Sequence, residues 1–244
     1  MKAELISVGT ELLLGQLVDT NSVWLSQQLS LLGVDSHFKT TVGDNEKNIE
    51  KVFQIATERA DIIIVTGGLG PTQDDITKET LAKFLQLELI YDEALASIIQ
   101  EKFAIRNIEM SSNNYRQAYY PKGSQVLDHF PGTAPGLYLN HHQKHYFLLP
   151  GVPYEMKSMF ENSVIKRIRE LSPGNEQIYT EIIKLWGLPE SDVAEKLSTI
   201  DDDLASVGNP KLSYLASGIN GISVRISAKA ENHEQALDLI RPYH

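Results

Sequence analysis

The sequence contains no cysteine. Its absence excludes disulfide bonds, thiolate nucleophiles and zinc sites with cysteine ligands. The sequence also lacks any apolar run long enough to span a membrane. Its N-terminus carries Glu4 and Glu11 and is unlike a signal peptide. We therefore expect a cytoplasmic protein with no membrane partner.

Positive charge is in short supply. The 244 residues include 22 Lys and Arg against 32 Asp and Glu, which gives a formal net charge of −10. Proteins bind phosphate backbones with a surplus of Lys and Arg, so we do not expect nucleic acid as the main partner. A small phosphorylated ligand in a local pocket is compatible with this charge. The length suits one large domain, or one medium and one small domain.

The most informative stretch is residues 62–77, where four β-branched apolar residues lead into a loop with three glycines, a proline and two adjacent aspartates. The apolar run predicts a buried strand, and the glycines predict a sharp turn where the backbone approaches another group closely. A helix is predicted to begin at about Asp74. A strand, a glycine loop and a helix N-terminus together form an anion site.

A phosphate at this loop would lie beside Asp74 and Asp75. A divalent cation, Mg²⁺ or a transition metal, joins carboxylates to phosphates in such sites. The loop has neither the Gly-Lys-Ser/Thr ending of a P-loop nor the spacing of a Rossmann dinucleotide site. The alternative is that Gly67 and Gly68 merely end a strand and Asp74 caps a helix.

Strand and helix patterns alternate through the first part of the chain. Strands are predicted at about Leu5 to Val8, Val34 to Val42 and Ile62 to Val65, each followed by a helical pattern. This alternation predicts an α/β fold whose parallel sheet is covered on both faces. Ligands of such sheets bind outside the carboxyl ends of the strands.

Carboxylates follow three of these strand ends. Glu11, Asp44 and the pair Asp74 and Asp75 each come just after a predicted strand, so we expect them at one edge of the sheet. The alternative is that acidic residues begin helices because of the helix dipole alone.

Two loops that combine proline with glycine follow, at residues 131–136 and 150–153. Proline stiffens a loop, and two such loops predict a rigid rim around a pocket. Glu155 lies in the first turn of the helix predicted from Tyr154 and could face that pocket.

The segment Ser172-Pro173-Gly174-Asn175 is the strongest linker signal. It divides the chain into predicted domains at residues 1–171 and 172–244. Beyond it we expect a small α+β domain with a strand to Leu185, a helix over 190–197, a solvated acidic loop at 201–203 and a hairpin turn at Asn220-Gly221.

Four blocks of sequence resemble the competence/damage-inducible protein CinA family. Residues 66–77 resemble its signature, residues 8–15 with 19–22 its N-terminal motif, and residues 132–136 and 149–156 its two later loops. The blocks occur in order over residues 1–171. The region after the linker is similar to the small KH-like domain of that family, including residues 185–187 and 223–225.

The resemblance implies a three-layer α/β/α sandwich of the molybdopterin-binding (MoaB/MogA-like) type, followed by a small α+β KH-like domain. It implies a metal-dependent hydrolase that cleaves the diphosphate bond of ADP-ribose to give AMP and ribose 5-phosphate. It also implies a homodimer. Many members carry a further domain that deamidates nicotinamide mononucleotide; this chain stops at His244, so we do not expect that activity. His129 stands where the family often has Asn.

Together, the loop chemistry and the resemblance give one hypothesis for the site. Aspartates hold one or two divalent cations that activate a water, backbone N–H groups hold a diphosphate, and Glu155 is a general base or additional ligand. The catalytic candidates are Asp74, Asp75 and Glu155. The metal candidates are Asp44, Asp74 and Asp75, with Asp75 favoured over Asp74. The candidates for substrate contacts are Thr10, Glu11, Asn21, Gly67, Gly68, Gly70, Thr72, Gly132, Thr133, Pro150 and Gly151.

Two other functions stay open at this point. The same fold serves proteins that bind molybdopterin or transfer a nucleotide to it. Alternatively, the chain is a non-enzymatic competence/damage-associated module that uses its KH-like domain to bind a partner.

Overall fold

The computed structural model describes residues 1–171, 177–216 and 221–243. Contacts divide the chain into two units. The first comprises Met1–Leu29 and Val34–Leu171, and the second comprises Ser30–Gly33 and the described residues beyond 176. The predicted linker at 172–175 and most of the predicted hairpin turn lie outside the described residues.

The first unit alternates strands with helices. Its elements are β1 (Lys2–Val8), α1 (Thr10–Leu13), α2 (Thr20–Leu31), β2 (Asp35–Val42), α3 (Glu46–Arg59), β3 (Ile62–Thr66), α4 (Thr77–Phe84), β4 (Leu89–Tyr91), α5 (Glu93–Ile105), a 3₁₀ helix (Ser112–Ala118), β5 (Tyr119–Pro121), β6 (Gln125–Val126), β7 (Leu137–His141), β8 (Lys144–Leu149), α6 (Pro153–Met159), a π-helical turn (Phe160–Val164) and α7 (Ile165–Leu171).

The central sheet has six strands in the order β2-β1-β3-β8-β7-β6. The first four strands are parallel, which confirms the predicted parallel α/β sheet. At one edge, β7 pairs antiparallel with β8, and β6 pairs antiparallel with β7. The reversal follows from the turn between β7 and β8. His142 and Gln143 have φ angles of 49° and 63°, and so short a hairpin joins only antiparallel strands.

Both faces of the sheet are buried, as the β-branched strands predict. All five residues of β3 are buried. Ile63 and Val65 pack with Ile49 and Phe53 of α3 and Leu81 of α4 in one core cluster. Neighbouring residues along a strand point to opposite faces, so the other residues of β3 belong to a second buried layer.

The second unit is a three-stranded antiparallel sheet with two longer helices. Its elements are β9 (Gln177–Leu185), α8 (Glu190–Val207), β10 (Lys211–Ala216), β11 (Ile222–Ala230), α9 (His233–Ile240) and a 3₁₀ turn (Arg241–Tyr243), with strand order β10-β11-β9. This agrees with the predicted α+β class. No helix among the described residues of either unit is long and apolar enough to cross a membrane.

The acidic run at residues 201–203 was predicted as a solvated loop, and that prediction is wrong. The run lies within α8, which continues to Val207 and is followed by Gly208 in the left-handed conformation. Two contacts hold this part of the helix. Leu204 is buried among the side chains of the second unit, and Asp201 accepts a hydrogen bond of 2.6 Å from the Tyr214 hydroxyl.

An ion pair between a buried carboxylate and a partly exposed guanidinium joins β1 to α3 in the first unit. The Glu4 carboxylate is fully buried and accepts two hydrogen bonds of 2.7 Å from the Arg59 guanidinium. The Thr40 hydroxyl donates a third, at 2.8 Å. Arg59 also lies over the Phe38 ring, 3.7 Å from its centroid. A bidentate pair with every contact made is costly to break from one side, because the remaining charge stays buried.

We expect Arg59→Met to lower the free energy of unfolding of the first unit by about 3–5 kcal/mol, because the Glu4 carboxylate would be left unpaired. Urea unfolding followed by Trp24 fluorescence, in a Trp186→Phe background, measures this loss. Lys122→Met, which removes an exposed contact of 3.6 Å to Glu88, is the control and should cost no more than about 1 kcal/mol. Equal losses for the two variants would contradict the prediction.

Candidate functional site

A cavity of about 560 Å³ opens where the parallel strands end. Val8 and Gly9 line it from the end of β1, Gly67 and Gly68 from β3, and Gly151 from β8. This is the edge at which parallel sheets place ligands. The cavity is therefore the candidate site, and the predicted strand-end residues can be located in it.

Most of the predicted site residues line this cavity. The structure brings together eleven of them: Glu11, Asp44, Gly67, Gly68, Gly70, Asp74, Asp75, Thr133, Pro150, Gly151 and Glu155. The remaining four do not line the cavity, but each of them contacts a residue that does: Thr10, Asn21, Thr72 and Gly132.

The glycine loop is held by close backbone contacts. Gly67 and Gly68 have φ angles of +97° and +67°, and a Cβ at Gly67 would overlap the Val8 carbonyl oxygen. Thr77 closes the loop from below: its N–H donates to the Gly68 carbonyl at 3.1 Å and its hydroxyl to the Gly67 carbonyl at 2.9 Å. The positive φ angles and the lack of space for a Cβ are the reasons that glycine is needed here, in agreement with the close backbone approach that the sequence predicts.

The helix after the loop begins at Thr77, so the predicted start at about Asp74 is wrong. Asp74 and Asp75 lie in the turn that precedes α4. The Thr72 hydroxyl lies within hydrogen-bonding distance of both carboxylates and donates its one hydrogen to either Asp74 Oδ1 or Asp75 Oδ2, and the Thr72 N–H donates to Asp75 Oδ2 at 2.9 Å. Such side-chain hydrogen bonds stabilise a turn in place of the first helical turn. Two hydrogen bonds lower the pKa of Asp74: the larger effect comes from the Thr72 side chain and the smaller from a backbone N–H.

Two of the residues behind the lining hold it in place. Asp44 Oδ2 accepts hydrogen bonds of 2.8 Å from both the N–H and the hydroxyl of Thr10. The Asn21 amide donates to the Gly151 carbonyl at 2.7 Å. Thr10 and Asn21 therefore position lining residues.

Two carboxylates lie directly against glycines. A Cβ at Gly70 would come within 2.5 Å of Asp75 Oδ2, and a Cβ at Gly132 would overlap the Glu155 carboxylate. Burial raises the pKa of Glu155, and the charges of Arg106 and then Lys102 oppose that shift. Glycine at 70 and 132 thus makes room for the acidic groups of the cavity.

The charge of the lining is one-sided. Its five carboxylates belong to Glu11, Asp44, Asp74, Asp75 and Glu155, and the described residues that line the cavity include no lysine and no arginine. Apolar side chains complete the wall, among them those of Leu17, Leu69, Ala134, Val152 and Pro153. The lining therefore offers hydrogen-bond acceptors and apolar surface.

A metal at this site stays a prediction. Asp44, Asp74 and Asp75 all line the cavity, yet the described part of the chain contains no group of three or more His, Asp or Glu side chains that could hold a metal ion. Mg²⁺ usually keeps several waters and needs only one or two carboxylates together with ligand phosphates. The donor set fits a cation that is shared with a ligand.

The sequence did not indicate two residues that support the loop. Arg116, from the 3₁₀ helix, donates to the Thr72 carbonyl at 2.7 Å and to Glu79 at 2.9 Å. Lys78 is buried and donates to the Arg116 carbonyl at 2.6 Å; burial lowers its pKa to about 8, against the charge of Glu79. These contacts span 37 to 44 residues, and no local pattern announces them.

Gln117 was also missed. It lines the cavity and is 1% exposed, and its side-chain oxygen has no hydrogen-bond partner among the described residues. By contrast, His129 is not a lining residue. Its Nε2 lies 2.8 Å from the Ser158 hydroxyl. The position at which the resemblance leads us to expect Asn therefore lies outside the cavity wall.

Sequence comparisons identify both parts of the chain. The model of a family described as a probable molybdopterin binding domain matches residues 4–170, and that of the damage-inducible protein CinA KH domain matches residues 180–244. A putative competence-damage inducible protein of Clostridium beijerinckii is 43% identical over 242 residues, and one of Caldicellulosiruptor bescii is 43% identical over 241. Each alignment covers 99% of this chain, which spans 58% and 57% of the length of these relatives.

A solved structure is similar as well. The crystal structure of the protein CinA with unknown function from Thermoplasma acidophilum matches with a TM-score of 0.64 and 32% sequence identity. The match covers 69% of this chain and 99% of that chain. It supports the α/β/α fold assignment of the first unit.

The predicted hydrolysis of ADP-ribose is wrong on these findings, and so is the hydrolase class. The matched family is described as a probable molybdopterin binding domain, and the relatives carry the name putative competence-damage inducible protein, which mentions no pyrophosphatase activity. The catalytic roles given to Asp74, Asp75 and Glu155 depended on that reaction, whereas their place in the cavity does not. The fold and the family are confirmed: the chain belongs to the CinA family, with a molybdopterin-binding-type α/β/α domain followed by a CinA KH domain.

Proposed function

We propose that the cavity at the ends of β1, β3 and β8 binds a phosphorylated pterin of the molybdopterin class. The observation that carries the proposal is its two-sided lining of carboxylates and apolar side chains, with no lysine or arginine among the described lining residues. A pterin has a flat ring, whose edge bears N–H donors that suit carboxylate acceptors. The ring faces suit the apolar wall near Leu17, Ala134 and Val152. The description of the matched family favours the same ligand class.

The phosphate belongs at the glycine loop. Gly67, Gly68 and Gly70 all line the cavity, and backbone N–H groups of glycine loops bind phosphate oxygens in many proteins. We include a divalent cation in the proposal, because the five carboxylates would otherwise repel a phosphate. Asp44, Asp74 and Asp75 are the candidate ligands, and the bound cation would neutralise charge between protein and ligand.

The homodimer implied by the family resemblance stays a prediction, and so does the cytoplasmic location expected from the composition and the N-terminal sequence. Since this chain spans less than three fifths of its two relatives, the proposal concerns the ligand of this cavity only.

The proposal predicts that Gly70→Ala weakens binding of 6-hydroxymethylpterin phosphate at least tenfold. A Cβ at residue 70 would displace the Asp75 carboxylate, whose Oδ2 lies 2.5 Å from the Cβ position. Titration of the intrinsic fluorescence of the pterin with purified protein measures the affinity. Gly208→Ala, at the end of α8, is the control: it strains a residue with φ of +79° and should cost about 1 kcal/mol of stability without changing pterin affinity. Failure of the unmodified chain to bind the pterin at all would refute the proposed function.

A second prediction concerns the cation. Mg²⁺ should strengthen binding of 6-hydroxymethylpterin phosphate at least tenfold relative to EDTA, and should change binding of unphosphorylated 6-hydroxymethylpterin by less than twofold. The reason is that only the phosphate must overcome the carboxylates of the lining. The same titrations with and without Mg²⁺ measure both ratios. An equal Mg²⁺ effect on the two pterins would remove the cation from the proposal.

A further inference from the structure

The outer face of the three-stranded sheet in the second unit carries an ordered set of side chains. Residues directly opposite each other in paired strands point to the same face. Ile222, Val224 and Ile226 of β11 are buried, so the residues between them face outward. The register gives three outward rows across β10, β11 and β9: Lys211, Ser227 and Thr180; then Ser213, Arg225 and Ile182; then Leu215, Ser223 and Lys184.

Three of these nine residues are cations, and they lie on one diagonal. Lys229, the next outward residue of β11 beyond these rows, adds a fourth cation to the face. Lys211 is in the first row on β10, Arg225 in the second on β11, and Lys184 in the third on β9. Successive Cα atoms are about 8 Å apart, from a strand spacing of about 4.8 Å and a rise of about 6.8 Å over two residues. The result is a straight line of positive charge across the sheet.

No carboxylate interrupts this line. The nine outward positions include neither Asp nor Glu, and Glu181 pairs with buried Ile226 and so belongs to the opposite face. All three residues of the line are exposed. Within the described residues none of them forms an ion pair. We call Lys211, Arg225 and Lys184 the cationic stripe. In a chain of net charge −10, acidic side chains of the described residues do not pair with this stripe, so its charge is available to a ligand.

Two further features accompany the stripe. Hydroxyl groups flank it at Thr180, Ser213, Ser223 and Ser227, and hydroxyls donate hydrogen bonds to phosphate oxygens. Trp186 follows Lys184 by two residues at the end of β9 and is 64% exposed. An exposed tryptophan beside a line of cations is the combination that single-strand binding proteins use, with phosphates on the cations and a base stacked on the ring.

We propose that this sheet face binds single-stranded nucleic acid, with consecutive phosphates at Lys211, Arg225 and Lys184 and a base stacked on Trp186. The regular spacing and the tryptophan favour a nucleic acid over an acidic peptide, which needs cations but no stacking surface. The net charge of the whole chain opposes binding at long range, and the expectation of no nucleic-acid partner rested on that sum. The stripe acts locally, within a Debye length of about 8 Å at physiological salt.

The test uses the full chain and two labelled probes, a 12-nucleotide oligo(U) and a 12-nucleotide oligo(dT), with fluorescence anisotropy at increasing salt. Three phosphate contacts predict a slope of about −2 for log affinity against log salt. Replacing Lys184, Lys211 and Arg225 with Gln should bring this slope towards zero and weaken binding at about 50 mM salt at least tenfold. Trp186→Ala should weaken binding about fivefold or more and leave the slope unchanged.

The control replaces Lys51, Lys122 and Lys196 with Gln, which removes the same charge from other surfaces, and thermal unfolding verifies that each variant folds. Binding of either oligonucleotide that only the stripe variant loses supports the proposal, and a preference for oligo(U) indicates contacts to the 2′-hydroxyl. An equal loss in the control overturns it. The proposal is also overturned if a poly(Glu) peptide binds and neither oligonucleotide does, a result that would assign the face to an acidic protein. It is equally overturned if no probe binds at low salt. None of these outcomes depends on the pterin titrations.

Discussion

The close approach of the Gly67–Gly68 turn to its neighbours determines the form of the cavity. β1 and β3 are adjacent in the sheet, and the Val8 carbonyl fills the space that a Cβ at Gly67 would occupy. Thr77 then ties the turn to α4 through the carbonyls of both glycines. Asp74 and Asp75 are presented on the short segment between these two attachments. A side chain at either glycine would therefore move the strand end, the helix start and the aspartates together.

Charge is the second constraint, and it is separated along the chain. The cavity of the first unit gathers five carboxylates with no basic side chain among its described lining residues. The outer sheet face of the second unit carries cations with no carboxylate among its nine outward positions. Like charges gathered in one place raise the free energy of the protein alone and lower that of a complex with the complementary ligand. A net charge of −10 conceals this separation, because a sum over the chain carries no information about place.

The sequence predicted the features that local patterns encode. Alternating strands and helices placed Glu11, Asp44, Asp74 and Asp75 at one sheet edge, and the structure locates all four in the cavity lining. It did not predict the start of α4 at Thr77, because side-chain hydrogen bonds from Thr72 compete with helix formation there. It missed Lys78 and Arg116, whose contacts join segments distant in sequence. The acidic run in α8 was misjudged because burial of Leu204 and the Tyr214 contact outweigh local polarity.

The error in function has a different origin from the errors in structure. Carboxylates beside a glycine loop are equally suited to binding a phosphate through a cation and to activating a water on that cation. Hydrolysis additionally requires the water to be oriented by a base, and the position of Glu155 was assigned that role only after the resemblance had suggested a diphosphate. In the structure Glu155 lies against Gly132, and burial raises the pKa of its carboxyl group. A raised pKa favours the neutral carboxyl group, which can donate a hydrogen bond to a ligand. Geometry at this edge of the sheet thus defines what can be bound, whereas the reaction, if one follows binding, depends on the ligand that the cavity selects.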